Sequence, residues 1–148
     1  MGFFRRIFPA KNGAVDSNTL ALIEPFIDCA LLALNIVKEK TGKDIPEFSN
    51  ITILLFVFGA LDELCQHLGV DEQTTLQTFK HLLGTKLGAE NEAAAQEYFQ
   101  TVVKLTAEED GQRALHAGGK AHADWRTGDT TAPLSLGFLL EQDIRGSS

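Results

Sequence analysis

Apolar side chains run almost unbroken from Ile51 to Phe58, with Thr52 the one polar interruption, and the chain turns polar only at Asp62, Glu63, Gln66 and His67. A stretch that is apolar on every side is expected to be a helix buried on every side, with the other elements packed around it. The segments before and after it have a different pattern. Leu20, Ile23, Ile27, Leu31 and Leu34 recur at steps of three and four, with Glu24, Asp28, Asn35 and Glu39 opposite, which predicts an amphipathic helix to about Lys40. Ser17 and Asn18 offer its cap, Gly42 its stop, and Pro25 a kink or a later start. Ser49 and Asn50 offer a cap for the central helix.

Beyond Leu68, Gly69 suits a left-handed stop and Asp71 the cap of a helix from Glu72 to Leu83, closed by Gly84. A further helix is expected from Gly88 to Leu105, and Thr106 with Glu109 has the form of a capping box that restarts the chain. In the helix that follows, from about Ala107 towards Trp125, the residues Ala107, Gly111, Ala114, Gly118 and Ala121 form one stripe of small side chains ending at Trp125. Gly118 and Gly119 oppose that helix by about 1 kcal/mol each, so it either packs closely on a neighbour or breaks there. Pro133 opens a last apolar piece, Leu134 to Ile144, in which Leu136, Phe138, Leu139 and Leu140 crowd together.

The expected fold is therefore all-α, a five- or six-helix bundle around a central, largely buried hydrophobic helix from about Ile51 to Leu68. It occupies 17–144 as a single domain, after an N-terminal basic and aromatic segment, 1–16, and before a frayed tail, 145–148. At 148 residues one core is expected, and with 44% hydrophobic and 22% charged residues the composition is that of an ordinary globular domain.

Charge narrows the choice of partner. The formal net charge of -7 repels nucleic-acid phosphates and anionic membranes in bulk and favours a basic protein partner. Against that background Phe3, Phe4, Arg5, Arg6 and Phe8 form a basic, aromatic patch with the chemistry for contact with a membrane surface. Cys29 and Cys65 lack C-x-x-C spacing and are expected to be reduced, buried thiols. Arg5 and Arg6 split the N-terminal apolar residues, so no secretory leader is expected, and the apolar run in the central helix is shorter than the roughly 20 residues that span a bilayer. The expected location is cytoplasmic.

The stretch from Glu63 to Leu82 resembles the helix-turn-helix pattern of DNA-binding proteins over about twenty residues, with Cys65 at the small position, Gly69 at the turn and Val70 after it. The resemblance implies DNA binding through the second helix. That helix, however, opens with Asp71 and Glu72, holds only Lys80 as a basic group, and puts Thr75 and Thr78 where the motif wants apolar residues. Gly118 to Ala121 lacks the hydroxyl residue and the earlier glycine of a phosphate loop.

Glu63 and His67, four apart on the central helix, are placed for joint metal ligation, whereas His116 and His122 fall on different sides of theirs. Asp62, Glu63, Gln66 and His67 also form the one polar cluster at the mouth of the apolar core, where burial perturbs pKa values. The sequence thus favours a non-catalytic protein-interaction module of the adaptor or immunity-like kind, with no cofactor. Its expected contact surface runs from Gly111 through Ala114, Gly118, Ala121 and Trp125 to Leu136, Phe138, Leu139 and Leu140, and serves a protein partner or a homodimer. A small hydrolase or metal-dependent enzyme centred on Glu63 and His67 is the alternative, and DNA binding a further one.

Overall fold

Six α-helices and a short 3₁₀ turn make up the described residues, 15–45 and 50–146, of the computed structural model. In chain order they are α1 (Ser17–Thr41), α2 (Ile51–Leu68), α3 (Glu72–Thr85), α4 (Glu92–Leu105), α5 (Glu109–Arg126), the 3₁₀ turn (Ala132–Ser135) and α6 (Leu136–Gly146). The fold is all-α, with the helices packed against one another as a bundle and no strand among the described residues. The N-terminal patch from Phe3 to Phe8 lies outside the described residues.

Helix starts follow side-chain chemistry. Asp16, Asn50, Asp71 and Asn91 each hold an extended backbone and accept a hydrogen bond from the amide three residues on, at Thr19, Ile53, Thr74 and Ala94. Each such cap stabilises its helix by about 1 kcal/mol relative to alanine. Asp16 therefore takes the role expected of Ser17 and Asn18, and Asn91 starts α4 later than Gly88.

The capping box expected at Thr106 and Glu109 does not form. The Thr106 hydroxyl donates to the Val103 carbonyl, and α5 begins after Glu108 with no side-chain cap. α1 runs straight through Pro25; Ala21, whose carbonyl loses its intrahelical partner to the proline, is exposed to water. Gly84 lies inside α3, which continues to Thr85. Gly42 and Gly69 end α1 and α2 in the left-handed region, at φ 75° and 74°.

α2 is the centre of the bundle: every residue from Ile53 to Asp62 is buried. Its principal partner is α5, and glycines set the distance between them. A methyl group on Gly59 would overlap the Leu115 carbonyl, and one on Gly118 would overlap the Phe56 carbonyl, so each backbone lies in a notch of the other. The helix does not break at Gly118 and Gly119, because close packing offsets their poor helix propensity. Phe58 packs on Phe79 of α3 with the rings tilted by 34° and their centroids 4.6 Å apart, and Phe56 stacks on Phe26 of α1 at 6.0 Å.

Both α1 and α2 are long and apolar enough to cross a membrane by length and composition. In α2 the apolar surface is the core, with 67% of the most apolar window buried, whereas in α1 the figure is 33%. The apolar residues of α1 thus outnumber those its inner face can bury.

Candidate functional site

Asp62 and Glu63 are neighbours in sequence, but the helical step of about 100° turns them toward different surroundings. Glu63 faces α5. Its Oε1 takes a hydrogen bond from His122 Nδ1 at 2.7 Å and a longer one from Arg126 Nε at 3.3 Å, while Oε2 accepts from Arg126 Nη2 at 2.6 Å. His122 and Arg126 are four apart, so one face of α5 presents both to one carboxylate. The imidazole is 2% exposed and packs against Phe26 at 5.1 Å between ring centroids, with Trp125 edge-on to the same phenyl ring at 6.0 Å.

These contacts fix the protonation states. Burial alone would raise the Glu63 carboxyl, but the hydrogen bonds from Arg126 and His122 outweigh it and hold the group below its ordinary range. An ionised carboxylate only accepts, so His122 Nδ1 carries the proton in this bond. Burial is the largest influence on His122 and pushes its pKa down; the Glu63 bond pulls it back in part, and the positive charge of Arg126 adds to the lowering.

Asp62 is buried in another environment. Its Oδ2 accepts from Gln66 Nε2 at 3.0 Å, and its Oδ1 is buried with no hydrogen-bond partner. Burial raises its pKa, the Gln66 bond opposes this, and the nearby carboxylates of Glu72 and Glu63 add to the rise. One turn on, burial pushes the Cys65 thiol up to about 11, which makes it an inert core thiol.

The polar cluster read from sequence is therefore divided. Glu63 is bonded to α5, Asp62 and Gln66 to each other, and His67 is exposed and forms no part of the Glu63 contact. Among the described residues no group of three or more His, Cys, Asp or Glu side chains is placed to hold a metal ion. A carboxylate holding an imidazole by Nδ1 is half of a general-base arrangement. Here, however, the ring is enclosed by Phe26 and the Arg126 guanidinium takes the second carboxylate oxygen. The cluster works as an ion-paired clasp between the ends of α2 and α5.

The small-residue stripe lies inside the molecule. Gly111, Ala114, Gly118 and Ala121 are buried, as are Leu136 and Leu140, while Trp125 and Leu139 are half-buried. Of that expected contact surface only Phe138 projects, at 67% exposure. It stands beside a groove of about 550 Å³ whose lining includes Ala33, Ile36 and Val37 of α1, Ala121 of α5 and Leu134 of the 3₁₀ turn.

Next to this groove is a surface that the sequence reading passed over. Leu22, Leu32 and Ile36 of α1 are 44%, 56% and 42% exposed. With exposed Pro25 and half-buried Cys29 they continue at steps of three, four, three and four along one side of the helix. The signal was present in those steps, but the acids at Glu24, Asp28 and Glu39 made the whole outer half of the helix read as polar.

The turn between α2 and α3 matches the expected left-handed stop, with the Val70 amide donating to the Cys65 carbonyl at 2.9 Å. Thr75 and Thr78 are buried, and their hydroxyls donate to the Asp71 and Thr74 carbonyls, which satisfies them inside an apolar layer. Compared with protein-family models, with curated proteins and with solved structures, the chain matches none of them.

Proposed function

We propose that this chain is a small acidic cytoplasmic protein-interaction module, of the adaptor or immunity-like kind, that docks through the outer face of α1 and the adjoining Phe138. The observation that carries this reading is the exposure of Leu22, Leu32 and Ile36 along one side of α1, with Ile36 and exposed Phe138 lining the groove at its end. Contiguous apolar surface of this kind, rimmed by polar residues, is the mark of an interaction site on a folded protein. Lys40, Asp124, Asp129 and Glu141 supply the polar rim here.

Two further observations support the non-catalytic reading. The best-formed titratable cluster, Glu63 with His122 and Arg126, is closed on itself, and the free thiols of Cys29 and Cys65 suit a reducing compartment. The net charge of -7 favours basic groups on whatever is bound beyond the apolar seam.

Affinity capture from the native source tests this with three baits, the wild-type chain and the Leu32→Glu and Phe138→Ser variants. Both substituted side chains are exposed, so folding by circular dichroism should be unchanged. The expected result is a protein retained by the wild type and lost from both variants. Identical retention by all three baits would refute docking at this face.

A further inference from the structure

We infer that Asp62 is a proton-binding site that locks the joint between α2 and α3, holding it closed when the carboxyl is neutral and loosening it when the carboxyl is ionised. The joint is a buried polar layer where the end of α2 meets the heads of α1 and α3. Thr19, Asp62, Thr75 and Thr78 are all buried, and the Cys65 thiol, 1% exposed, meets the Thr75 hydroxyl across the joint. The Asp16 amide donates to Thr78 Oγ1 at 3.5 Å and ties the head of α1 to the same layer.

Donors are what this layer lacks. The Thr19 hydroxyl donates to Asp16 Oδ2, Thr75 to the Asp71 carbonyl at 2.9 Å and Thr78 to the Thr74 carbonyl at 2.7 Å, so each hydroxyl proton is already used. Asp62 Oδ2 takes the Gln66 amide, and Oδ1 is left buried with no partner. An ionised carboxylate can only accept, whereas a neutral carboxyl carries an O–H. Hydroxyl oxygens whose own protons are used still offer lone pairs, so the layer suits the O–H and not the anion.

Charge favours the same state. Glu72 at the start of α3 and Glu63 on α2 act on Asp62 as like charges, and Asp62, Asp16 and Asp71 act together on Cys65. Asp16 and Asp71 are helix caps, held below the ordinary carboxylate range by their bonds to Thr19 and Thr74, so they stay ionised while Asp62 titrates. Arg126 and His122 are bonded to Glu63 on the α5 side, and His67 is exposed. A carboxylate buried without a counter-charge is costly, and entry of water relieves it. Proton release to solvent therefore favours an open joint in which Asp62 is hydrated and Cys65 can be reached by reagents. Because burial raises the Asp62 pKa in the closed joint, opening is favoured as pH rises through that raised value.

Two measurements on the full chain test this. In carboxyl-carbon NMR, with each aspartate assigned by through-bond correlation to its backbone, wild-type Asp62 should titrate at higher pH than Asp16 and Asp71. Alkylation of Cys65 by iodoacetamide, in a Cys29→Ser background, should accelerate with pH more steeply than the about tenfold per pH unit that the thiolate fraction supplies. Adding Asp62→Asn should return the rate to that slope. An Asp62 carbon that titrates together with Asp16 and Asp71, or below them, overturns the proposal. So does a Cys65 rate that follows the thiolate fraction alone while Asp62 is present, or a steeper profile that Asp62→Asn leaves unchanged. The titration and the first rate profile use the native carboxyl, so they decide the matter even if Asp62→Asn does not fold.

Discussion

At the scale of single residues, the end of α2 places two adjacent carboxylates in opposite electrostatic situations. Glu63 is stabilised as an anion by His122 and Arg126, whereas Asp62 is buried with one oxygen unpartnered. Their effects on stability have opposite signs. His122 sits below its ordinary value of 6.5, so as pH falls the unfolded chain takes up that proton first, and stability declines from about 6.5 downward. Glu63, held below 4.5, contributes stability above that value that is lost as pH falls through its lowered pKa. Asp62, raised above 3.8, does the reverse: the folded chain takes up the proton first, and its contribution grows as pH falls through the raised value.

The His122 effect comes first on acidification. The midpoint of thermal unfolding is expected to fall between about pH 7 and about pH 5, and His122→Gln should flatten that decline. An unchanged slope in the variant would show that His122 is not the group responsible. This clasp was not legible in the sequence, because His122 and Arg126 lie 59 and 63 residues from Glu63 and only the packing of α5 on α2 brings them together. What the sequence did show was the local pair of Glu63 and His67, at helical spacing but without the contact.

At the scale of elements, the crossing of α2 and α5 is the feature that positions everything else. Gly59 and Gly118 are there because a carbonyl of the opposite helix occupies the space a side chain would need. Gly59→Ala and Gly118→Ala should each destabilise by at least about 3 kcal/mol, the upper end for overpacking a tight core, or prevent folding. Gly119→Ala is the internal control. A methyl group there would meet Gly59 O at 3.5 Å, ordinary contact, and would gain up to about 1 kcal/mol of helix propensity. Chemical denaturation of the three variants checks this, and similar losses in all three would contradict the notched crossing.

The three- and four-residue steps between Gly111, Ala114, Gly118 and Ala121 made a close crossing readable before the fold was known. Three other features were not readable from local sequence. Thr106 has the residue type of a cap but its hydroxyl bonds back to Val103. Asn91 displaced the expected start at Gly88 because its side chain reaches the Ala94 amide. The second apolar face of α1 was hidden among acids, and only burial on the opposite side shows that Leu22, Leu32 and Ile36 are left over.

At the scale of the whole molecule, the two most apolar helices are covered unequally. α2 is apolar all round and is covered all round; α1 is apolar on two sides and covered on one. Water is an unfavourable neighbour for the second side, at about 25 cal/mol for each Å² of apolar surface left exposed. The proposed function accordingly requires that a bound protein cover that face.

The most direct test is hydroxyl-radical footprinting of Leu22, Leu32, Ile36 and Phe138, read by mass spectrometry, with dilute purified protein compared against the same protein in extract from its native source. Leu68, 37% exposed at the end of α2, serves as the reference. The expected result is a several-fold drop in oxidation at the four side chains in the extract with Leu68 unchanged. Equal oxidation of all four in both samples would mean that the outer face of α1 stays in water, and would contradict the claim.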